Sequence, residues 1–384
     1  MTVIEDQQSD LGATWTEVGG RRIPAHYGRP ERTHRAVRNV VGVTEMPYGV
    51  MVVRGDDRVE YVDNVVSNAV PATDGEGTYA LLLDPQGRVE LDMYVYNAGE
   101  QLLLFVPPGR AEDLAAEWRE KVFVQDVEID AASDDFAVFG VHGPKSTEKI
   151  ASVLNAAGAP DGHLTFERGR MAEIGVTVIQ TDAPAGEEGY EVVCTTGTTE
   201  TETGETSNAE RVFDTLLNHG LNAAPFGRDT WETLTLEAGT PLFDAELAGR
   251  IPNALGLRNA LDFEKGCYVG QEVVSRVENR GRPSERLVGL RTEALPESDA
   301  AVFVDDEAVG EVTRAAESPS LDEPVAFAFV DFEVGERADQ GAGSDGEGDD
   351  APLTVRVGGE EVPAEVEPLP FVEGSDRSAR LPTY

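Results

Sequence analysis

An α+β fold of two or three packed units, closed by a small antiparallel β barrel, is what this sequence predicts. Three observations lead there. The chain has 384 residues, more than one compact unit usually holds. Strand-like and helix-like periodicities alternate in no fixed order as far as Arg286, and beyond it only short strand-like runs remain.

Residues 1–20 are polar and are expected to form a disordered tail. The stretch 21–38 holds six arginines against one acid, Glu31, with His26 and Tyr27 among them. It reads either as a face for an anionic ligand or as a solvated helix with local ion pairs. Residues 50–53 and 79–83 read as strands, and the turn Asp84-Pro85-Gln86-Gly87 leads into a third at 88–96. Alternation in that strand places Val89, Leu91, Met93 and Val95 on one face and Glu90, Asp92, Tyr94 and Tyr96 on the other. Residues 101–106 return as its hairpin partner.

Ala111, Leu114, Ala115, Trp118 and Val122 have the spacing of one helical stripe. A second helix starts at Pro144 and stops at Gly158. A third is capped by Ser207 with Glu210, carries Val212, Phe213, Leu216 and Leu217, and ends at Gly220. Strands at 174–181 and 189–194 lie between them, followed by a polar insertion at 195–207. The barrel strands are expected at 287–291, 301–304, 307–314 and 325–330, with a hairpin at Gly358-Gly359. Residues 333–351, rich in Gly, Ser, Asp and Glu, are expected to form a disordered acidic loop.

Acidic residues number 72 against 31 basic ones, a net charge of −41, and only Lys121, Lys145, Lys149 and Lys265 are lysines. At molar salt the screening length falls to about 3 Å and such self-repulsion is largely removed, which points to a halophile's cytosolic protein. A disordered acidic chain is excluded by the 40% hydrophobic content. The same field disfavours nucleic acid and acidic membranes as partners and leaves a small ligand. With no secretory signal and no apolar run of membrane-spanning length, the expected location is the cytoplasm. Cys194 and Cys267 cannot supply the four thiolates of a usual zinc or iron-sulfur site, and no metal site is expected.

The densest cluster of chemistry is Lys265-Gly266-Cys267-Tyr268-Val269-Gly270-Gln271-Glu272. Its glycines permit a backbone that hugs a ligand, and an interdomain turn would use them equally well. Cys267 is a reactive thiol if Lys265 or exposed amides favour the thiolate, and otherwise a small residue in the turn; Cys194, in an apolar strand, reads as structural. No GxxxxGK, HExxH or GxSxG occurs, and the five histidines, His26, His34, His142, His163 and His219, lack metal-ligand spacing. A GxGxxG at Gly341, Gly343 and Gly346 falls in the acidic loop and reads as chance.

The octapeptide 265–272 resembles the hallmark of YgfZ-type folate-binding proteins, relatives of the glycine cleavage T-protein. Similar segments run from about residue 24 to 371, among them Gly87-Arg88-Val89-Glu90-Leu91-Asp92-Met93, Gly143-Pro144, Gly186-Glu187-Glu188-Gly189-Tyr190-Glu191-Val192, Leu236-Glu237-Ala238-Gly239 and Ser318-Pro319. The resemblance implies a three-lobed fold with tetrahydrofolate in a central hole, two lobes over 21–275 and the barrel over 284–371. It implies that Asp92 approaches the folate amine that accepts a one-carbon unit and that Glu191 accepts from the pterin's amino edge. Tyr94, Lys265, Gly266, Gly270 and Gln271 are implied as further cofactor contacts, and Cys267 as a catalytic thiol. The chain departs from the T-protein pattern at 181–187, which lacks the family's arginine and tyrosine. Trp231 also stands where a folate-facing arginine is usual, with Arg228 as the nearby substitute. Three functions follow as expectations: a YgfZ-type folate protein serving iron-sulfur assembly proteins, an aminomethyltransferase working with a lipoyl carrier protein, or a folate-sensing scaffold.

Overall fold

The computed structural model of the protein describes residues 2–155, 158–201, 204–341 and 353–384. Its first lobe is a six-stranded sheet in the order Phe166–Met171, Ile174–Gln180, Gly189–Thr195, Phe136–His142, Gly42–Glu45, Ala224–Pro225. The pairings are antiparallel except the last. Helices Ser146–Val153 and Asn208–Asn218 cover one face. The second of these follows its capping signal: Ser207 accepts from the Glu210 N–H, and Val212, Phe213, Leu216 and Leu217 are buried.

The second lobe is a five-stranded antiparallel sheet, Gly77–Leu83, Val89–Asn97, Gln101–Val106, Gly49–Arg54, Glu128–Ala131. Helices Arg58–Val65 and Ala111–Lys121 cover its outer face, burying Tyr61, Leu114 and Trp118 against Met51, Leu91 and Met93. The inner faces of the two sheets meet in one apolar cluster, with Val138, Ile179 and Val193 from the first and Val52, Tyr94, Tyr96 and Phe105 from the second. The third unit is a closed barrel, Glu285–Thr292, Glu323–Asp331, Glu307–Ser318, Ala301–Val304, Leu353–Val357, Glu360–Glu367. Strand alternation fills it with Val288, Leu290, Val312 and Ala328, while Phe327 and Phe329 point out into the central cluster.

The structure corrects the sequence reading at four places. The expected disordered tail is ordered: Ile4 is fully buried in the first lobe, Glu5–Asp10 is helical, and Thr14–Val18 pairs with Arg21–His26. The apolar and amide side chains of that segment reach partners distant in sequence, with Thr2 and Gln8 both donating to buried Glu45. The arginine-rich stretch is not a free cationic face, because Arg21, Arg22, Arg35 and Arg38 bond to Glu45, Glu5, Asp322 and Glu237. The insertion at 195–207 pairs as a hairpin, Thr198–Thr201 with Gly204–Ser207. The acidic loop begins as the helix Phe332–Gly341, which places Val334 on the barrel; its remainder, with most of the glycine motif, lies outside the described residues. Among the described residues no helix is long and apolar enough to cross a membrane.

Candidate functional site

The residues of the site come from the inner faces of the two sheets and from the chain's last turn. In Val89–Asn97, alternation sends Leu91, Met93 and Val95 toward the helices and Asp92, Tyr94 and Tyr96 toward the other lobe. From Asp92 onward that second face is polar in composition yet largely buried, because the first lobe covers it, while Glu90 stays exposed and Val89, expected on the opposite face, joins the central cluster beside a bulge. Asp92 accepts a hydrogen bond from the Tyr79 hydroxyl at 2.9 Å and faces Arg380 Nη1 at 3.9 Å. Burial raises the Asp92 pKa, opposed by the Arg380 charge and the Tyr79 hydrogen bond.

Arg380 is the hub. Its Nε lies 3.1 Å from Asp182 Oδ2, and its guanidinium sits over the rings of Tyr79 and Tyr94 at 4.9 and 5.7 Å. Tyr94 donates to the other oxygen of Asp182 at 2.8 Å. The tail that carries Arg380 is pinned by backbone bonds, Arg377 to Gly186, Ala379 to Asp182 and Thr383 to Gly256. A buried cation flanked by two carboxylates is held charged, so the cluster has a fixed electrostatic order.

Glu191 projects from Gly189–Thr195 into the same interior and is 2% exposed. The Tyr48 hydroxyl donates to its Oε1 at 2.8 Å, and its buried Oε2 has no hydrogen-bond partner. Burial pushes the Glu191 pKa up to about 7, with the Tyr48 bond opposing and Asp182 adding to the rise. Tyr48 itself is stacked on Phe105, with ring centres 5.3 Å apart.

A cleft of about 630 Å³, counting the part open to solvent, reaches this cluster between the lobes. Met46, Tyr48, Asp92, Tyr94, Trp231 and Arg380 form its inner wall, with Arg228 beside Trp231. Arg228 thus lines the cleft, bonded to Glu232 at 2.6 Å. The mix of aromatic wall with few polar groups suits a planar ring ligand.

The octapeptide 265–272 lies elsewhere. Lys265 donates to the carbonyls of Asp63, Val66 and Asn68 at 2.6, 3.0 and 2.9 Å, closing the end of helix Arg58–Val65. Gly270 has φ +81° and packs on the 84–87 turn, where a Cβ would come within 2.7 Å of the Asp84 carbonyl oxygen. Gln271 opens the helix Gln271–Arg280, Cys267 is exposed, and none of Lys265, Gly266, Cys267, Gly270 and Gln271 lines the cleft. The expected contacts there become ties between the second lobe and the barrel-side helix. Cys194 is buried, which pushes its thiol up to about 12. Among the described residues no group of three or more His, Cys, Asp or Glu is placed to hold a metal ion.

Tyr48, Tyr79, Asp182 and Arg380 were not singled out in the sequence. Asp182 stood in the segment that departs from the T-protein pattern. A buried Asp92 needs a cation or donor, but nothing in the tail's composition points to Arg380 as that partner.

Two family models match the chain: the GCVT N-terminal domain over residues 4–265 and the glycine cleavage T-protein C-terminal barrel domain over residues 285–373. An aminomethyltransferase of Saccharopolyspora erythraea is 31% identical over 96% of this chain and 97% of its own. A probable aminomethyltransferase of Natronomonas pharaonis is 31% identical over 96% and 98%. The crystal structure of the glycine cleavage system aminomethyltransferase T from Bartonella henselae has the same fold, with a TM-score of 0.80 at 21% identity over 97% of this chain and 98% of its own.

Proposed function

We propose, from the premise that this chain belongs to the glycine cleavage T-protein family, that it binds a reduced folate between Asp92 and Glu191. It would then transfer a one-carbon unit to that folate from the aminomethyl group of a lipoyl carrier protein. The relatives named as aminomethyltransferases over nearly the whole chain favour this reading. The observation that carries it is Glu191 Oε2, a buried acceptor with no hydrogen-bond partner, lying behind Tyr48 at the wall of the cleft.

Bound tetrahydrofolate would supply the amines that take up the carbon. The carbon's bonds to sulfur and nitrogen break, and the two amine protons leave on the carrier thiol and on ammonia. Asp92, with its raised pKa and its contact to Tyr79, is suited to hold a proton at the folate amine and to offset positive charge developing there. Glu191 accepts N–H donors on Oε2 while Tyr48 keeps Oε1 in place. Arg380 holds Asp92 and Asp182 in register.

The test is folate-dependent ammonia release from an aminomethyl-loaded carrier protein, run at molar salt because of the −41 charge. Turnover is expected, and the Asp92→Asn variant should lower it by about 10²–10⁴-fold. No turnover together with tight folate binding would favour a YgfZ-type role supporting iron-sulfur enzymes in the cytoplasm. The specific observation on that side is the exposed Cys267 in its octapeptide, away from the cleft. Loss of cellular function in Cys267→Ser would then decide for it against a scaffold role.

A further inference from the structure

Beside Glu191 stands a second buried polar side chain without a partner. Along Phe136–His142, alternation sends Ala137, Phe139 and Val141 to the helix-covered face and Val138, Gly140 and His142 to the central side. His142 is 0% exposed, and among the described residues neither Nδ1 nor Nε2 has a hydrogen-bond partner. Two glycines make room for its ring. A Cβ at Gly140 would lie 2.6 Å from Nε2, and one at Gly189 would lie 2.6 Å from Nδ1. Gly140 is the residue directly across from Glu191 in the sheet, so the imidazole and the free carboxylate oxygen occupy neighbouring positions on one face.

Only cleft-wall side chains separate this pair from the ligand space. Trp231 packs on the imidazole at 4.9 Å between ring centres, Met46 Sδ flanks the same spot over Gly140, and Tyr48 covers Glu191. All three line the cleft, and the unbranched Met46 can rotate aside. A neutral imidazole carries one N–H donor and one acceptor. Burial keeps the ring neutral by pulling its pKa down to about 3. Leaving both nitrogens and Glu191 Oε2 unmet costs free energy that a suitable ligand edge would recover.

We infer that His142 is a ligand-positioning residue that acts with Glu191 to read the amide edge of a pterin ring. Glu191 Oε2 takes the adjacent amino and ring N–H donors, and the His142 N–H meets the ring carbonyl next to them. This rests on the folate reading above and adds, beside Glu191, a group that reads the 4-oxygen directly and so separates a 4-oxo from a 4-amino ring.

The test is calorimetry on the full chain with tetrahydrofolate and with its 4-amino counterpart, tetrahydroaminopterin, both handled anaerobically. The unmodified protein should prefer the 4-oxo ligand by about tenfold or more. His142→Phe should lose about tenfold in affinity for tetrahydrofolate and change little toward the amino analogue, while His142→Gln, which retains an N–H donor, should recover most of the preference. In case the phenylalanine variant does not fold, ¹⁵N-histidine NMR of the unmodified chain gives an independent readout. One buried ring-nitrogen signal should move on saturation with tetrahydrofolate and stay put with the analogue. Tetrahydrofolate affinity in His142→Phe equal to that of the unmodified chain, with the 4-oxo preference kept, or an unmoved signal on saturation, would show a histidine satisfied by internal water and overturn the inference while leaving folate binding intact. Failure of the unmodified chain to bind tetrahydrofolate removes the folate reading itself, and this one with it.

Discussion

Glu237 and Glu191 are equally hidden, at 0% and 2% exposure, yet their surroundings have opposite character. Glu237 joins three parts of the chain, accepting from His34 at 2.9 Å, Arg38 at 3.0 Å, and Ser318 and Ser320 of the barrel at 2.6 and 3.0 Å. Burial alone would raise its pKa, but the His34 bond and the Arg38 charge outweigh it and hold the group at about 2. Glu191 receives one hydroxyl and keeps one oxygen bare. A buried carboxylate with both oxygens satisfied helps to fix a fold, whereas one with a bare oxygen is stable only if the rest of the structure over-determines it or a ligand completes it. The difference separates the molecule's mortar from its proposed site.

The sharpest way to break that distinction is Glu237→Ala. It strands His34 and Arg38 and should cost about 3–5 kcal/mol in urea unfolding at molar salt. Folate affinity of the protein that remains folded should hold. An unchanged unfolding midpoint would mean that the junction carries no stability and the comparison fails.

The two carboxyls should also bend the pH profile in opposite directions. The Glu237 pKa is depressed from 4.5 to about 2, so its contribution is complete above pH 4.5 and is lost as pH falls toward 2. The Glu191 pKa is raised from 4.5 to about 7, so its contribution is complete below pH 4.5 and is lost as pH rises through 7. Unfolding midpoints across this range should lose the acid limb in Glu237→Ala and the upper limb in Glu191→Gln. A Glu191→Gln profile that matches the parent at neutral pH would show the carboxyl to be ionised like a surface group.

A smaller effect is expected when Glu191→Gln is examined for binding. The amide oxygen can still accept from Tyr48, so stability should stay within about 1 kcal/mol. Affinity for tetrahydrofolate should fall by about 10–100-fold, because the acceptor that faces the N–H donors becomes a donor. Large destabilisation with intact affinity would turn Glu191 into another Glu237.

How far this could be read from the sequence follows the range of each interaction. The hairpin expected over 88–106, the stripe from Ala111 to Val122 and the capped helix after Ser207 rest on neighbours a few residues apart, and they stand within a residue or so of where periodicity puts them, Val122 falling just past the helix end. Asp92 and Glu191 were reached only through resemblance, since alternation assigns a face without saying what covers it. Here the opposite lobe covers both, which is why one expected polar strand face is an interior. Arg380 serves Asp92 from almost three hundred positions away, and Ile4 fills the first lobe from a stretch with no periodicity. Partnerships of that length leave no local pattern.

Lys265 shows the same limit from the other side, because a dense motif invited a ligand role while its ammonium serves the backbone. Its side chain is 4% exposed and satisfies the carbonyls of Asp63, Val66 and Asn68 where the helix Arg58–Val65 ends. Lys265→Met keeps the stem's length and removes the donors, leaving those carbonyls to find other partners at the edge of the loop. The expected cost is about 1–2 kcal/mol, with tetrahydrofolate affinity unchanged. Cys267→Ser, on the exposed face of the same loop, should leave both quantities where they are. A tenfold loss of folate affinity in Lys265→Met at unchanged stability would return the loop to the binding site, and the boundary between mortar and site would have to be redrawn around it.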